Sequence, residues 1–164
     1  MATLFNFVRM SGWQFKGVEK ARFQEPMLLS LVIFISYLIG GIVDYFAHLK
    51  NFRAYLYPNG FYFLLDILTI IFIYLVIKVN TKQGVICKKY LLFGLSLNSL
   101  LFLVIQIDFA LIYEGLRARE PWWFWYVFPV AINAIDALMV AVLILHKDFL
   151  KIHFLTNKLL FRLS

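Results

Sequence analysis

Only one cysteine, Cys87, occurs in the 164 residues, so no disulfide can close within the chain. A lone thiol also removes the ligand set of a thiolate metal cluster, and near a helix start Cys87 reads as a small packing residue. Charge is scarce too. Asp, Glu, Lys and Arg make up 15% of the residues, against about 25% in an average soluble domain. Acids are the rarer sign, nine against sixteen bases. No P-loop, nucleophile elbow, dinucleotide fingerprint or zinc-peptidase spacing occurs. The chain is therefore expected to be non-enzymatic, with no cofactor and no metal centre.

What the chain has in excess is apolar surface. Hydrophobic residues reach 63% and aromatics 19%, including 18 Phe and 9 Tyr. One domain of this length cannot hide so much inside itself, so the pattern predicts an all-α polytopic membrane protein. Four long apolar runs give four transmembrane helices, at about 26–48, 60–78, 89–114 and 121–146, within a bundle covering 26–147. Each run has 18 or more largely apolar residues, enough to cross about 30 Å of hydrocarbon. Pro26 and Pro121 fall where a first turn tolerates proline, Pro58 and Gly60 mark a break, and Pro129 predicts a kink in the last span. No cleavable signal is expected, since the first long apolar run begins only near Pro26.

The bases orient the chain. Arg9, Lys16, Lys20 and Arg22 precede the first span; Lys78, Lys82, Lys88 and Lys89 lie between spans two and three; Lys147, Lys151, Lys158 and Arg162 follow the fourth. Those twelve share one side, against Lys50, Arg53, Arg117 and Arg119 on the other. Both termini are therefore expected in the cytoplasm, which for a bacterial chain means the inner membrane. Trp122, Trp123, Trp125 and Tyr126 form an aromatic belt at the opposite interface.

Residues 1–25 are predicted to form an amphipathic helix on the cytoplasmic side, with Arg9, Lys16 and Lys20 at i, i+7, i+11 opposite Leu4, Val8, Phe15 and Val18. Residues 148–164 repeat that spacing with Lys151, Lys158 and Arg162, and predict an interfacial tail helix. Both stripes face lipid headgroups or a cytosolic protein partner. No nucleic acid is implied, because the basic segments lack a fold to present them to one.

Each apolar run carries one aspartate: Asp44, Asp66, Asp108 and Asp136. A carboxylate inside hydrocarbon costs about 2.5–3.5 kcal/mol on insertion scales, so each needs a compensating environment. Tyr37, Gly41, Asp44 and His48 share one face; Tyr62, Asp66 and Thr69 another; Asn133 and Asp136 a third; Asn98, Ser99 and Gln106 cluster on span three. Depth counted from the non-cytoplasmic end of each run puts Asp44, Asp66 and Asp108 in one layer and Asp136 much deeper. The expected polar site is thus Asp44, His48, Asp66, Asp108, Asn133 and Asp136, either fixing helix register or holding a cation or proton. Small residues, Gly40–Gly41 and Ala134, Ala137 and Ala141, suit close helix contacts and homo-oligomers.

Two functions fit. The first is a membrane subunit that oligomerises and serves a cytosolic partner as sensor or anchor. The alternative is an oligomeric cation or proton channel, or a small transporter, using the aspartates. In architecture alone the chain resembles small four-span membrane proteins, among them phage-defence membrane subunits, small transporters and assembly factors. Architecture does not assign function.

Overall fold

A computed structural model of the chain describes residues 2–11, 18–49, 58–110 and 123–151. Among them no strand occurs. The elements run α1 (Ala2–Ser11), α2 (Val18–Leu49), α3 (Pro58–Leu75), α4 (Lys82–Asp108) and α5 (Trp123–Leu145). Three stretches are long and apolar enough to cross a membrane: Phe23–Phe46, Lys82–Asp108 and Trp123–Leu145. They make this a helical membrane protein. The fourth expected span corresponds to the shorter apolar helix Asn59–Leu75.

Helix α2 starts at Val18 rather than at Pro26, so the expected amphipathic segment 1–25 is shared between α1 and the first turns of α2. Helix α4 likewise starts earlier than residue 89, and a designed cap explains it. The Thr81 hydroxyl accepts from Gly84 N at 3.1 Å, and the Glu25 carboxylate accepts from Asn80 N, Thr81 N and Thr81 Oγ1 at 2.8, 3.0 and 2.5 Å. A carboxylate there satisfies donors that a helix start leaves open and opposes the positive end of its dipole. Gly84 is what admits it, because a Cβ at that position would run into the Glu25 side chain. At the neighbouring end of α3 the signs reverse. Lys88 Nζ donates to the carbonyls of Ile77 and Tyr74, at 2.6 and 3.3 Å, where a helix C-terminus favours a cation.

Helix α1 is docked, not free. Asn6 Nδ2 donates to Leu143 O at 3.0 Å, one of the last carbonyls of α5, and Thr3 Oγ1 donates to Ser30 O at 3.0 Å. Leu4, Phe7 and Val8 face outward. The chain leaves α5 through a turn in which His146 and Lys151 both take left-handed backbone, with φ of 54° and 53°. Asp148 Oδ1 meanwhile accepts from the buried Tyr90 hydroxyl at 2.7 Å. Residues 148–151 are therefore not the start of the expected tail helix; the rest of 148–164 lies outside the described residues.

These contacts gather one end of the bundle: the starts of α2 and α4, the ends of α3 and α5, and α1. Lys78, Lys82, Lys147 and Lys151 are exposed there, and it is called the basic end below. The other, the aromatic end, begins α5 with Trp123, Trp125 and Tyr126. Just inside the basic end lies the apolar core, in which Leu29, Ile33, Ile73, Leu91, Leu95, Met139, Val142 and Leu143 are all buried.

Candidate functional site

Above that core, at mid-bundle, four helices meet around a cavity of about 300 Å³. Tyr37, Gly40 and Gly41 line it from α2, Tyr62 and Asp66 from α3, Asn98 and Phe102 from α4, and Ile132 and Asp136 from α5. Asp136 Oδ1 accepts two hydrogen bonds, from Tyr37 Oη at 2.6 Å and from Asn98 Nδ2 at 2.7 Å, so one carboxylate ties α2, α4 and α5 together. Next to Asp66, the Thr69 hydroxyl meets Ser36 Oγ at 2.8 Å and donates to Leu65 O at 2.7 Å, joining α2 to α3.

Two buried acceptors at the cavity have no partner among the described residues. Asp66 is 5% exposed and its Oδ2 has no hydrogen-bond partner among the described residues; Asn98 is 2% exposed and its Oδ1 has none either. Both orphans accept and neither donates. Burying unpartnered acceptors costs free energy, and what would complete them is a donor or a cation. Among the described residues no three His, Cys, Asp or Glu side chains converge as metal ligands. The donor set is oxygen only, which suits a hard cation and not a thiolate-seeking one.

The pairing of Asp66 with Asp136 corrects the expected layering. Asp66 shares its cavity with Asp136, not with Asp44 or Asp108. Asp66 lies nine residues before the end of α3 at Leu75, and Asp136 nine before the end of α5 at Leu145. At 1.5 Å per residue both stand about 14 Å from the basic end. Because α3 has 18 residues and α5 has 23, depth counted from the other end separates two groups that are level.

The remaining expected residues scatter. Asp108, 7% exposed, accepts from Trp125 Nε1 at 2.6 Å and fastens α4 to α5 at the aromatic end. Asp44 is exposed on α2, and Asn133 is exposed one turn from Asp136. The side chains of His48, Arg9 and Lys20 lie outside the described residues, as do Lys16, Lys158 and Arg162; Lys151 is exposed at the basic end. Tyr37 and Asn98, which complete the site, stand in the sequence as face companions of other residues. Nothing in one chain's periodicity says that they meet Asp136 across 99 and 38 residues.

The aromatic end is built differently from the core. Tyr62 stacks on Phe102 at 5.4 Å, Phe102 meets Phe128 edge-on at 5.6 Å, and Gly60 N donates to Gln106 Oε1 at 2.9 Å. Those contacts join α3, α4 and α5. Helix α2 takes no part in them, and Gly41 through Phe46 are exposed.

No protein-family model matches this chain, and no curated protein or solved structure is similar to it.

Proposed function

We propose that this protein is a four-span membrane subunit whose bundle binds a proton or a small monovalent cation between Asp66 and Asp136. One observation carries the reading: two carboxylates face a single cavity whose buried unpartnered atoms, Asp66 Oδ2 and Asn98 Oδ1, are both acceptors. Two carboxylates facing one cavity at membrane depth call for a compensating positive charge, and ionisable groups at that depth mark ion and proton pathways. Of the two functions left open by the sequence, the cavity favours the transporter or channel.

Helix α3 supplies the fourth crossing in this reading. Its start is tied to Gln106 near the end of α4, and the chain just past its end is tied to Lys88 near the start of α4. Four crossings return the chain to its original side, and the lysines of the basic end favour the cytoplasm for both termini. The anchoring role keeps support at that end, where α1 turns Leu4, Phe7 and Val8 outward beside exposed lysines, a surface suited to anionic lipid or a cytosolic partner.

The test is flux in proteoliposomes under an imposed potential, following sodium uptake and lumenal acidification in parallel. Wild type is expected to carry one of the two, with loss in Asp66→Asn and in Asp136→Asn. Absence of both fluxes from correctly folded wild type refutes the transporting role.

A further inference from the structure

The cavity has a polar side and a sealed side, and the two differ along α2 and α5. Toward the basic end, beyond the buried Ser36–Thr69 hydroxyl pair, the inward-facing positions are Ile33 on α2, Ile73 on α3, Leu95 on α4 and Met139 on α5, none more than 5% exposed. Gly94 lets this layer close: a Cβ there would fall 2.5 Å from Met139 Sδ, so the methionine packs directly on the α4 backbone. Four apolar side chains from four helices leave no polar atom to carry an ion past them.

Toward the aromatic end α2 and α5 do the opposite, while Tyr62 of α3 stacks on Phe102 of α4. Tyr37, Gly41 and Asp44 recur at i, i+4, i+7 on α2, and all three are exposed. Tyr37 and Gly41 also line the cavity, so this stripe leads outward from it. A Cβ built on Gly41 meets nothing within 4 Å, which leaves open space beside the cavity. On α5, Asn133 is exposed one turn from Asp136 in the same direction. An aspartate and an asparagine turned outward at that level suit water and not lipid.

We propose that the cavity is entered from the aromatic end, along a cleft between α2 and α5 past Asp44, Gly41 and Asn133, and that the Ile33–Ile73–Leu95–Met139 layer closes it toward the basic end. The structure is thus an outward-open state of the bundle, with α2 as the element that must approach α5 to occlude the site. The proposal rests on the reading of the cavity as a cation site, but its test does not.

The single native cysteine makes the test direct. Cys87 is fully buried, with Sγ 3.7 Å from Val142 O, so Cys87→Ala provides a background for single cysteines. Gly41→Cys enters open space, Asn133→Cys is on the surface, and Ile73→Cys sits in the sealed layer. Each is treated in proteoliposomes with a membrane-impermeant cationic methanethiosulfonate, added to either side, with sodium or choline as the only added salt cation. Gly41→Cys and Asn133→Cys are expected to react from the aromatic side, and Ile73→Cys from neither. Reaction of Ile73→Cys from the basic side while Gly41→Cys stays silent overturns the proposal. So does disulfide-linked dimerisation of Gly41→Cys without labelling, since the stripe is then covered by a second copy. Labelling as expected in a protein that shows neither sodium uptake nor acidification leaves the entrance standing and refutes the cation reading. Flux without labelling does the reverse.

Discussion

Between the polar layer and the basic end, every helix of the bundle contributes to one packed core, with α1 laid across it through Asn6 and Thr3. Between that layer and the aromatic end, α3, α4 and α5 are joined by aromatic rings, Gln106 and Asp108, while α2 stands exposed from Gly41 to Phe46. The difference shows where this small bundle keeps its stability and where it keeps room to move. Lipid offers no hydrophobic drive between helices, so association depends on close packing and satisfied polar contacts. The basic half has both in its core, although an apolar groove of about 640 Å³ lies between α2 and α3 there, lined by Leu28, Val32, Phe72 and Val76. The other half withholds them from one helix, and that helix carries the cavity wall.

The largest expected contrast lies in truncations on the two sides of the layer. Leu91 is fully buried in the basic half, and Leu91→Ala should cost about 2–5 kcal/mol. Leu100, on the same helix, is 55% exposed, and Leu100→Ala should fall within about 0.5 kcal/mol of wild type. Unfolding midpoints in nanodiscs compare them, and equal losses would erase the distinction between the halves.

The cap on α4 comes next. Glu25→Ala removes an acceptor of three hydrogen bonds at a helix start, and a loss of about 2 kcal/mol is expected. Gly84→Ala should move the midpoint the same way by displacing that carboxylate. A Gly84→Ala protein as stable as wild type would show that Glu25 does not hold the end of the bundle together.

Adjacent glycines on α2 sharpen the boundary. A Cβ on Gly40 would sit 3.0 Å from the Tyr62 ring, which is itself stacked on Phe102; one on Gly41 meets nothing. Gly40→Leu is therefore expected to destabilise by about 1–3 kcal/mol, and Gly41→Leu to leave the midpoint unchanged. Similar losses from both would mean that α2 packs along its whole length. Asp44→Asn should likewise leave the midpoint unchanged, because Asp44 is exposed.

Composition and period are enough to read a helical membrane protein and to put both ends of α3 and α5 within about three residues, while the starts of α2 and α4 fall eight and seven residues earlier than expected. They also placed Tyr37 with Gly41 and Asp66 with Thr69, since shared faces follow from helical spacing alone. Helix starts were less legible. Glu25 caps a helix 56 residues away, and that distant partner extends α4 back to Lys82. The docking of α1 was hidden for the same reason, resting on Asn6 and Thr3 reaching carbonyls of other helices. The site itself was half legible. The aspartates were marked by their cost in hydrocarbon, but their relative depth depends on which ends of unequal helices are level, and that is a tertiary fact.

The most direct measurement takes Asp66→Asn and wild type, in matched nanodisc and proteoliposome preparations, for unfolding midpoint and for flux. Asparagine keeps the shape of the side chain and removes one of two charges facing the cavity. The expected result is a midpoint equal to or above that of wild type, with sodium or proton flux lost. A chain of this size shifts by on the order of 2–4 °C per kcal/mol, so the comparison resolves small effects. A midpoint several degrees below wild type, with residual flux falling only in proportion to folded protein, would contradict the cation site and make Asp66 a structural group.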